Sequence, residues 1–313
     1  MRNSFIVKKS KFDRKLSNKI SMYIVMVIFL MLSLLLGLIL DTLLGTIVLF
    51  TIIFGLFSLF QVIFGLSVVG KIIVRLMSLR NNNKTQDIEI ETAGHILSEI
   101  KESLNLKSDV DLMLIESSCI NALSVGRGEH THTVCITKGA LEKLEIDELK
   151  ALLLHELYHI TQKDTDYLTT VSGTFGSPML IYKLSREKLL KLKRNWNDNK
   201  ISTKEFINSL LLHSLIIGFS ILFIPLSFLS NVFVSVRKEF DADLFASELA
   251  GKDAVISLLS KAKENCQKFD TEFSFIRYHF FVHPHCADAK GKVNFISGTY
   301  PSIDERIKKL QDI

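Results

Sequence analysis

The run His155-Glu156-Leu157-Tyr158-His159 sets two imidazoles four residues apart with a carboxylate beside the first. At about 100° per residue the histidines of such a helix fall about 40° apart, so both nitrogens can reach one Zn2+ at about 2.0–2.1 Å. Glu156 then lies beside that face, placed to take a proton from water made acidic by the ion and to return it to a leaving amine. That is the chemistry of amide hydrolysis. A catalytic zinc takes three protein ligands and keeps one position open, so a third donor is needed. Glu239 is the candidate. With Asp243 four residues on, one acid can bind the metal while the other holds a ligand imidazole by its second nitrogen.

Other histidines compete for a metal. His130 and His132 would share a face in a strand, but no acid or thiol stands near them in sequence, so they read as solvent-facing loop residues. His279, His283, His285 and Cys286 are denser, yet their spacing fits neither a C-x-x-C nor an H-x-x-x-H site. His95 and His213 are lone residues, expected to be packed or interfacial.

The elements that must carry these groups are legible in outline. Residues 138–163 have no Gly or Pro after Gly139, and a helix run begins near Asp147. Residues 85–100 have helical apolar spacing. Residues 110–115 are β-prone, and 122–125 and 131–136 flank a Gly126-Arg127-Gly128 turn, which predicts a small sheet.

Much of the remaining chain is too apolar for water. Residues 20–40 carry no charge and, after Asp41, neither do residues 42–70, each long enough to cross a core of about 30 Å. Asp41 is expected in the turn of this transmembrane hairpin, since a bare carboxylate at mid-bilayer costs a few kcal/mol or more. A signal peptide would have a shorter apolar region and a small-x-small site. Residues 1–19 hold seven basic residues against Asp13, and Lys71, Arg75, Arg80 and Lys84 follow the second block, so both ends are expected in the cytoplasm. Weaker apolar blocks run over 167–184 and 207–236, with a basic stretch, 185–205, between them.

The 313 residues, 48% hydrophobic and 23% charged, exclude disorder and collagen-like repeats. The net charge of +5 gathers beside apolar blocks, which fits anionic lipid headgroups and not nucleic acid. Cysteines 119, 135, 266 and 286 are far apart, which suggests unpaired thiols in a reducing compartment.

Taken in order, these motifs resemble the M48 membrane metallopeptidases of the HtpX type. The resemblance covers the amino-terminal hairpin, Asn121-Ala122-Leu123-Ser124-Val125-Gly126, Ile136-Thr137-Lys138-Gly139, the H-E-x-x-H run, Glu239-Phe240-Asp241-Ala242-Asp243 and Tyr300-Pro301-Ser302-Ile303-Asp304-Glu305-Arg306-Ile307. It implies an α+β, mainly α-helical fold: transmembrane helices plus a zincin-like metallopeptidase domain over 85–313, interrupted by the membrane-associated helices 167–184 and 207–236. It further implies one Zn2+ per chain on His155, His159 and Glu239, Glu156 as the base, and Asn121, Ala122 and Leu123 in an edge strand along which substrate backbone is laid. Pairing at such an edge grips an unfolded polypeptide without reading its sequence. Where relatives commonly have Thr-His-Pro, this chain has Thr299-Tyr300-Pro301. Tyr300, and with it Arg306, enters as a candidate catalytic residue that can donate to an oxyanion.

If His155, His159 and Glu239 meet at one ion, the chain between them crosses a bilayer an even number of times. Two crossings put the basic stretch outside against the positive-inside tendency, and none leaves a cytoplasmic hairpin; the resemblance favours two. Glu145, Asp147, Glu148, Lys150, Lys163 and Asp164 surround the motif too densely for a site at mid-bilayer. The expected activity is an endopeptidase of the cell membrane, multi-pass, with its active site facing the cytoplasm; the resemblance, and no residue pattern, implies misfolded membrane proteins as substrates. The alternative is a non-catalytic protein stapled by zinc or sensing it, which a fourth protein ligand from the 283–286 cluster would favour.

Overall fold

The first uncharged stretch lies within one helix, α1 (Lys15–Leu44), in a computed structural model that describes residues 14–78, 88–126, 131–198, 200–233, 235, 237–266, 276–284, 286 and 301–313. Gly45, at φ +71°, ends it with a left-handed residue that lacks a Cβ to clash. The turn falls at residues 45–48, just past Asp41, and α2 (Leu49–Ser67) returns. Asp41 is satisfied there: it accepts the Phe50 and Thr51 backbone N–H groups, each at 2.9 Å, and the Thr46 and Thr51 hydroxyls, capping α2. At Gly37 a Cβ would stand 2.6 Å from the Thr51 Cα, so a small residue lets the two helices touch.

After α3 (Val69–Ser78) and α4 (Ile88–Ser103) come three strands, β1 (Asp109–Ile115), β2 (Ala122–Gly126) and β3 (Thr131–Thr137). Their order is β1-β3-β2, with β3 parallel to β1 and antiparallel to β2. The register pairs Leu112 with Val134 and Ser124 with Val134 across the two ladders. β2 is therefore an edge strand. Then α5 (Lys138–Lys143) and α6 (Ile146–Thr161) follow, where the sequence suggested one longer helical stretch. Gly139 is required at their start, because a Cβ there would lie 2.2 Å from the Ser118 carbonyl.

The helix that follows breaks the expected pattern. α7 (Asp164–Val171), a π-turn (Ser172–Gly176) and α8 (Ser177–Asn197) form one continuous rod that runs through the basic stretch. The 167–184 block is thus no separate element. Tyr167, Leu168, Val171 and Phe175 are buried against Val25 and Phe29 of α1 and Phe54 of α2. After a short connection α9 (Thr203–Ser227) returns along α8 and ends in a 3-10 turn (Phe228–Phe233). The helices share an aromatic core in which Phe54 and Phe223 stack at 4.9 Å and Phe29 meets Phe175 edge-on at 5.0 Å. Outward from it, Val27, Met31, Leu35, Ile52, Leu56, Leu211 and Leu215 stand exposed, a surface suited to lipid. Among the described residues two helices, Lys15–Leu44 and Thr203–Ser230, are long and apolar enough to span a bilayer.

The chain closes with α10 (Arg237–Ala250), α11 (Lys252–Glu264) and α12 (Ile303–Gln311). They pack with α4, α6 and one face of the sheet into a second core around Leu152, Leu153, Leu157, Leu258 and Leu259. Each such leucine contributes on the order of 2 kcal/mol by leaving water. α6 is therefore clamped along its length, which fixes the direction of every side chain on its other face. The fold is α+β and mainly helical.

Candidate metal centre

Near the start of α6 the Glu148 carboxylate accepts the Glu145 backbone N–H at 2.8 Å, Ser257 Oγ at 2.6 Å and Lys261 Nζ at 2.7 Å. This locks the helix start to α11. Two turns on, His155 and His159 project from one face, their Nε2 atoms 3.2 Å apart. Glu239, in the first turn of α10, brings Oε2 to 3.4 Å from His155 Nε2 and Oε1 to 3.7 Å from His159 Nε2. The three donor groups thus converge within 4.8 Å of one another, all buried.

The opposite nitrogens are held by carboxylates. His155 Nδ1 lies 3.0 Å from Asp243 Oδ1, and His159 Nδ1 lies 3.4 Å from Asp164 Oδ2. A donor on that side leaves each Nε2 as the lone-pair nitrogen, the state a metal ligand requires. Lys163, in the left-handed region at φ +62°, bends the chain between α6 and α7 and so turns Asp164 back beneath His159. Arg306 fixes the other carboxylate. It donates from Nε to Asp243 Oδ2 and from Nη2 to Oδ1, and from Nη1 to the Phe281 carbonyl at 2.8 Å.

The electrostatics suit a cation at this place. Glu239 Oε2 and Glu156 Oε2 are buried with no hydrogen-bond donor, although the site holds two acids and two imidazoles. Burial lowers the His155 pKa, but Asp243 and Glu239 outweigh it and hold the ring up at about 9. Burial raises Glu239, and His159, His155 and Arg306 bring it below the usual carboxylate range. Glu156 stays raised, because burial outweighs the two imidazoles. An ion among these donors would replace the protons and satisfy the bare oxygens, and two imidazoles with one carboxylate are a zinc-type donor set. The residues fit the group.

The sequence profile of peptidase family M48 matches residues 85–313, far more than half of the chain. This chain belongs to peptidase family M48. Its relatives place it with the HtpX-like peptidases. Protease HtpX of Buchnera aphidicola subsp. Schizaphis graminum is 24% identical over 79% of this chain and 83% of its own length. Protease HtpX of Wigglesworthia glossinidia brevipalpis is 24% identical over 64% and 65%, and the Protease HtpX homolog of Neisseria meningitidis FAM18 is 26% identical over 67% and 68%. No solved structure matches the chain. An M48 protein is a protease, and the cluster just described is where this one can hold a metal.

Readings of the cysteines and of His132 are corrected, and the edge strand carries a cover. The β2 edge at Asn121, Ala122 and Leu123 is covered by the chain's own residues 280–282. Phe281 N–H donates to the Ala122 carbonyl at 2.8 Å, Leu123 and Phe280 form an antiparallel bridge, and the Asn121 amide pairs with both Val282 N–H and its carbonyl. With Tyr278, His279 and Phe280 over it, the metal cleft is reduced to a cavity of about 10 Å3, no more than one water molecule needs. Cys266 and Cys286 are joined as a disulfide, not free. His132 is buried in β3, 2.8 Å from Asp166, and not a solvent-facing loop residue. His95, expected to be packed or interfacial, is exposed. Tyr300, His130 and His285 lie outside the described residues.

Two groups named in the sequence reading were given no role in the centre. Asp164 follows His159 by five residues, a spacing that could have flagged it. His279 lines the cavity, with Nδ1 3.0 Å from the Ser124 carbonyl and Nε2 3.1 Å from Ser172 Oγ on the π-turn, contacts made only through the fold.

Proposed function

We propose that this protein is a membrane-embedded zinc endopeptidase, with one Zn2+ held by His155, His159 and Glu239 and with Glu156 as general base. The observation that carries this reading is the convergence of three buried donors from α6 and α10 beside Glu156, whose own carboxylate lines the same cavity. A bound Zn2+ supplies Lewis acidity, lowering the pKa of water and polarising a peptide carbonyl. Glu156 receives the proton lost by the attacking water and carries it to the leaving amine. Its raised pKa suits a group that must hold that proton between the two steps. Asp243 and Asp164 keep the two imidazoles oriented, and Arg306 acts through Asp243, not on the substrate.

In this reading α1 and α2 cross the cell membrane as a hairpin behind the basic residues 1–19, and the 167–184 segment with α9 crosses it as a second. The peptidase domain, 85–313, then faces the cytoplasm with its chemistry at the membrane surface. Polypeptides are the substrates, misfolded membrane proteins among them, drawn along the β2 edge once residues 280–282 leave it. The zinc-staple reading needs a fourth protein ligand; among the described residues the cluster has three, and Cys286 is spent in a disulfide.

The test is elemental analysis of purified protein together with cleavage of an unfolded casein. Wild type is expected to carry one zinc and to cleave, and His159→Ala and Glu239→Ala to lose both. Full zinc content in Glu239→Ala would remove the third ligand from the scheme.

A further inference from the structure

Asn18 stands in the first turn of α1, 5% exposed, far upstream of every residue assigned to the metal. Its amide nonetheless touches both flanks of the centre. Nδ2 donates to Asp164 Oδ1 at 2.8 Å and to the Gln162 carbonyl at 2.7 Å, and Oδ1 accepts from Lys238 Nζ at 3.0 Å. Lys238 immediately precedes Glu239 and pairs with the same Asp164 oxygen at 2.6 Å. Asp164 thus gives Oδ1 to Asn18 and Lys238 and is left with Oδ2 for His159 Nδ1. A second tie holds the same turn in place: the Arg14 backbone N–H donates to Gln162 Oε1 at 3.1 Å, and its guanidinium pairs with Asp241 on α10.

We propose that Asn18 is a positioning residue of the metal centre, holding Asp164 in the rotamer that orients His159, so that the first apolar helix forms part of the active site. A carboxamide suits the place because its two N–H donors serve Asp164 and the Gln162 carbonyl while its oxygen accepts from the ammonium, whereas a hydroxyl has one donor only. Without it, one anchor on Oδ1 remains and the carboxylate can turn away from the imidazole. Losing the carboxylate that orients a ligand imidazole commonly weakens a metal site about 10- to 100-fold, and Asn18 acts through that carboxylate. A purely structural amide would instead lower stability and leave the metal alone. The proposal rests on the zinc reading above.

The experiment uses the full chain in detergent and compares wild type, Asn18→Leu and Tyr23→Ala, the last at an exposed α1 position outside the network. Zinc affinity is read by chelator competition, ligand geometry by the visible spectrum of the Co2+ form, and turnover as separate kcat and KM. Asn18→Leu is expected to bind zinc about 10-fold more weakly, to shift the Co2+ spectrum, and to lose kcat with KM within about twofold. Tyr23→Ala is expected to match wild type. If Asn18→Leu does not fold, Asn18→Ser is measured in its place. Wild-type zinc affinity and an unshifted spectrum in the folded variant overturn the proposal alone, whereas a wild-type protein that binds neither ion overturns the zinc reading with it.

Discussion

Arg306 holds both oxygens of Asp243 at once, Nε at 2.7 Å and Nη2 at 2.6 Å, with the guanidinium wholly buried. The Asp243 pKa is raised by burial, but Arg306 overrides this and holds it at about 2, so the carboxylate stays ionised beneath His155. Arg306→Lys keeps the charge but not the two-pronged grip, and a roughly 10-fold loss of zinc affinity is expected. Arg306→Ala leaves a buried carboxylate without its cation and is expected to lower stability by about 3–5 kcal/mol. Thermal unfolding and chelator titration of both variants check this; a zinc affinity in Arg306→Lys equal to wild type contradicts it.

His279 predicts an acid-sensitive fold. Burial pushes its pKa down from 6.5 to about 4, so the folded state resists the proton that the unfolded chain accepts. Stability from this group is full above pH 6.5 and declines as pH falls from 6.5 toward 4, by on the order of 3 kcal/mol in all. Melting temperature against pH is expected to fall more steeply in wild type than in His279→Gln. Parallel curves would remove the effect.

The covering segment, residues 276–286, must leave for a polypeptide to enter a cavity of about 10 Å3. The Cys266–Cys286 bond ties its far end and closes a 20-residue separation, for which chain-entropy arguments give about 3 kcal/mol. Reduction, or Cys286→Ser, is expected to lower the melting temperature and to lower KM for an unfolded casein by a few-fold. An unchanged KM in fully reduced protein would show that the segment opens independently of the bond.

The motif helix was legible because a metal site on one helix is a local pattern: His155, Glu156 and His159 need only the 3.6-residue period. Glu239 was legible through its partner spacing to Asp243. Asn18 was not, since nothing in α1 marks one amide of an apolar helix as a neighbour of residues far downstream. The covered β2 edge was hidden for a similar reason: Phe280, Phe281 and Val282 lie between histidines weighed only as metal ligands, and only the antiparallel pairing of Phe280 with Leu123 reveals a strand-like role. The 167–184 block, read as a membrane-associated helix that stops at the basic stretch, lies within a longer helical run that continues to Asn197, and hydropathy does not mark that continuation. A π-turn absorbs Gly173 and Gly176, and Pro178 falls in the first turn of α8, where its missing N–H does little harm.

The second hairpin yields a topological prediction. Lys200, in the connection between α8 and α9, is largely exposed. With two crossings, Lys200→Cys in intact cells is expected to react with a membrane-impermeant maleimide, while buried Cys119 and Cys135 stay silent. Labelling only after the membrane is opened would place α8 and α9 on the cytoplasmic side.

Glu156→Gln separates binding from chemistry most directly, because the amide keeps the side chain's shape beside the donors yet cannot take up a proton. Zinc content and casein cleavage are measured on the same preparation. One zinc per chain with cleavage reduced by about 10²- to 10⁴-fold is the predicted result. A variant that retains its zinc and cleaves at the wild-type rate would contradict the role given to Glu156 and, with it, the mechanism.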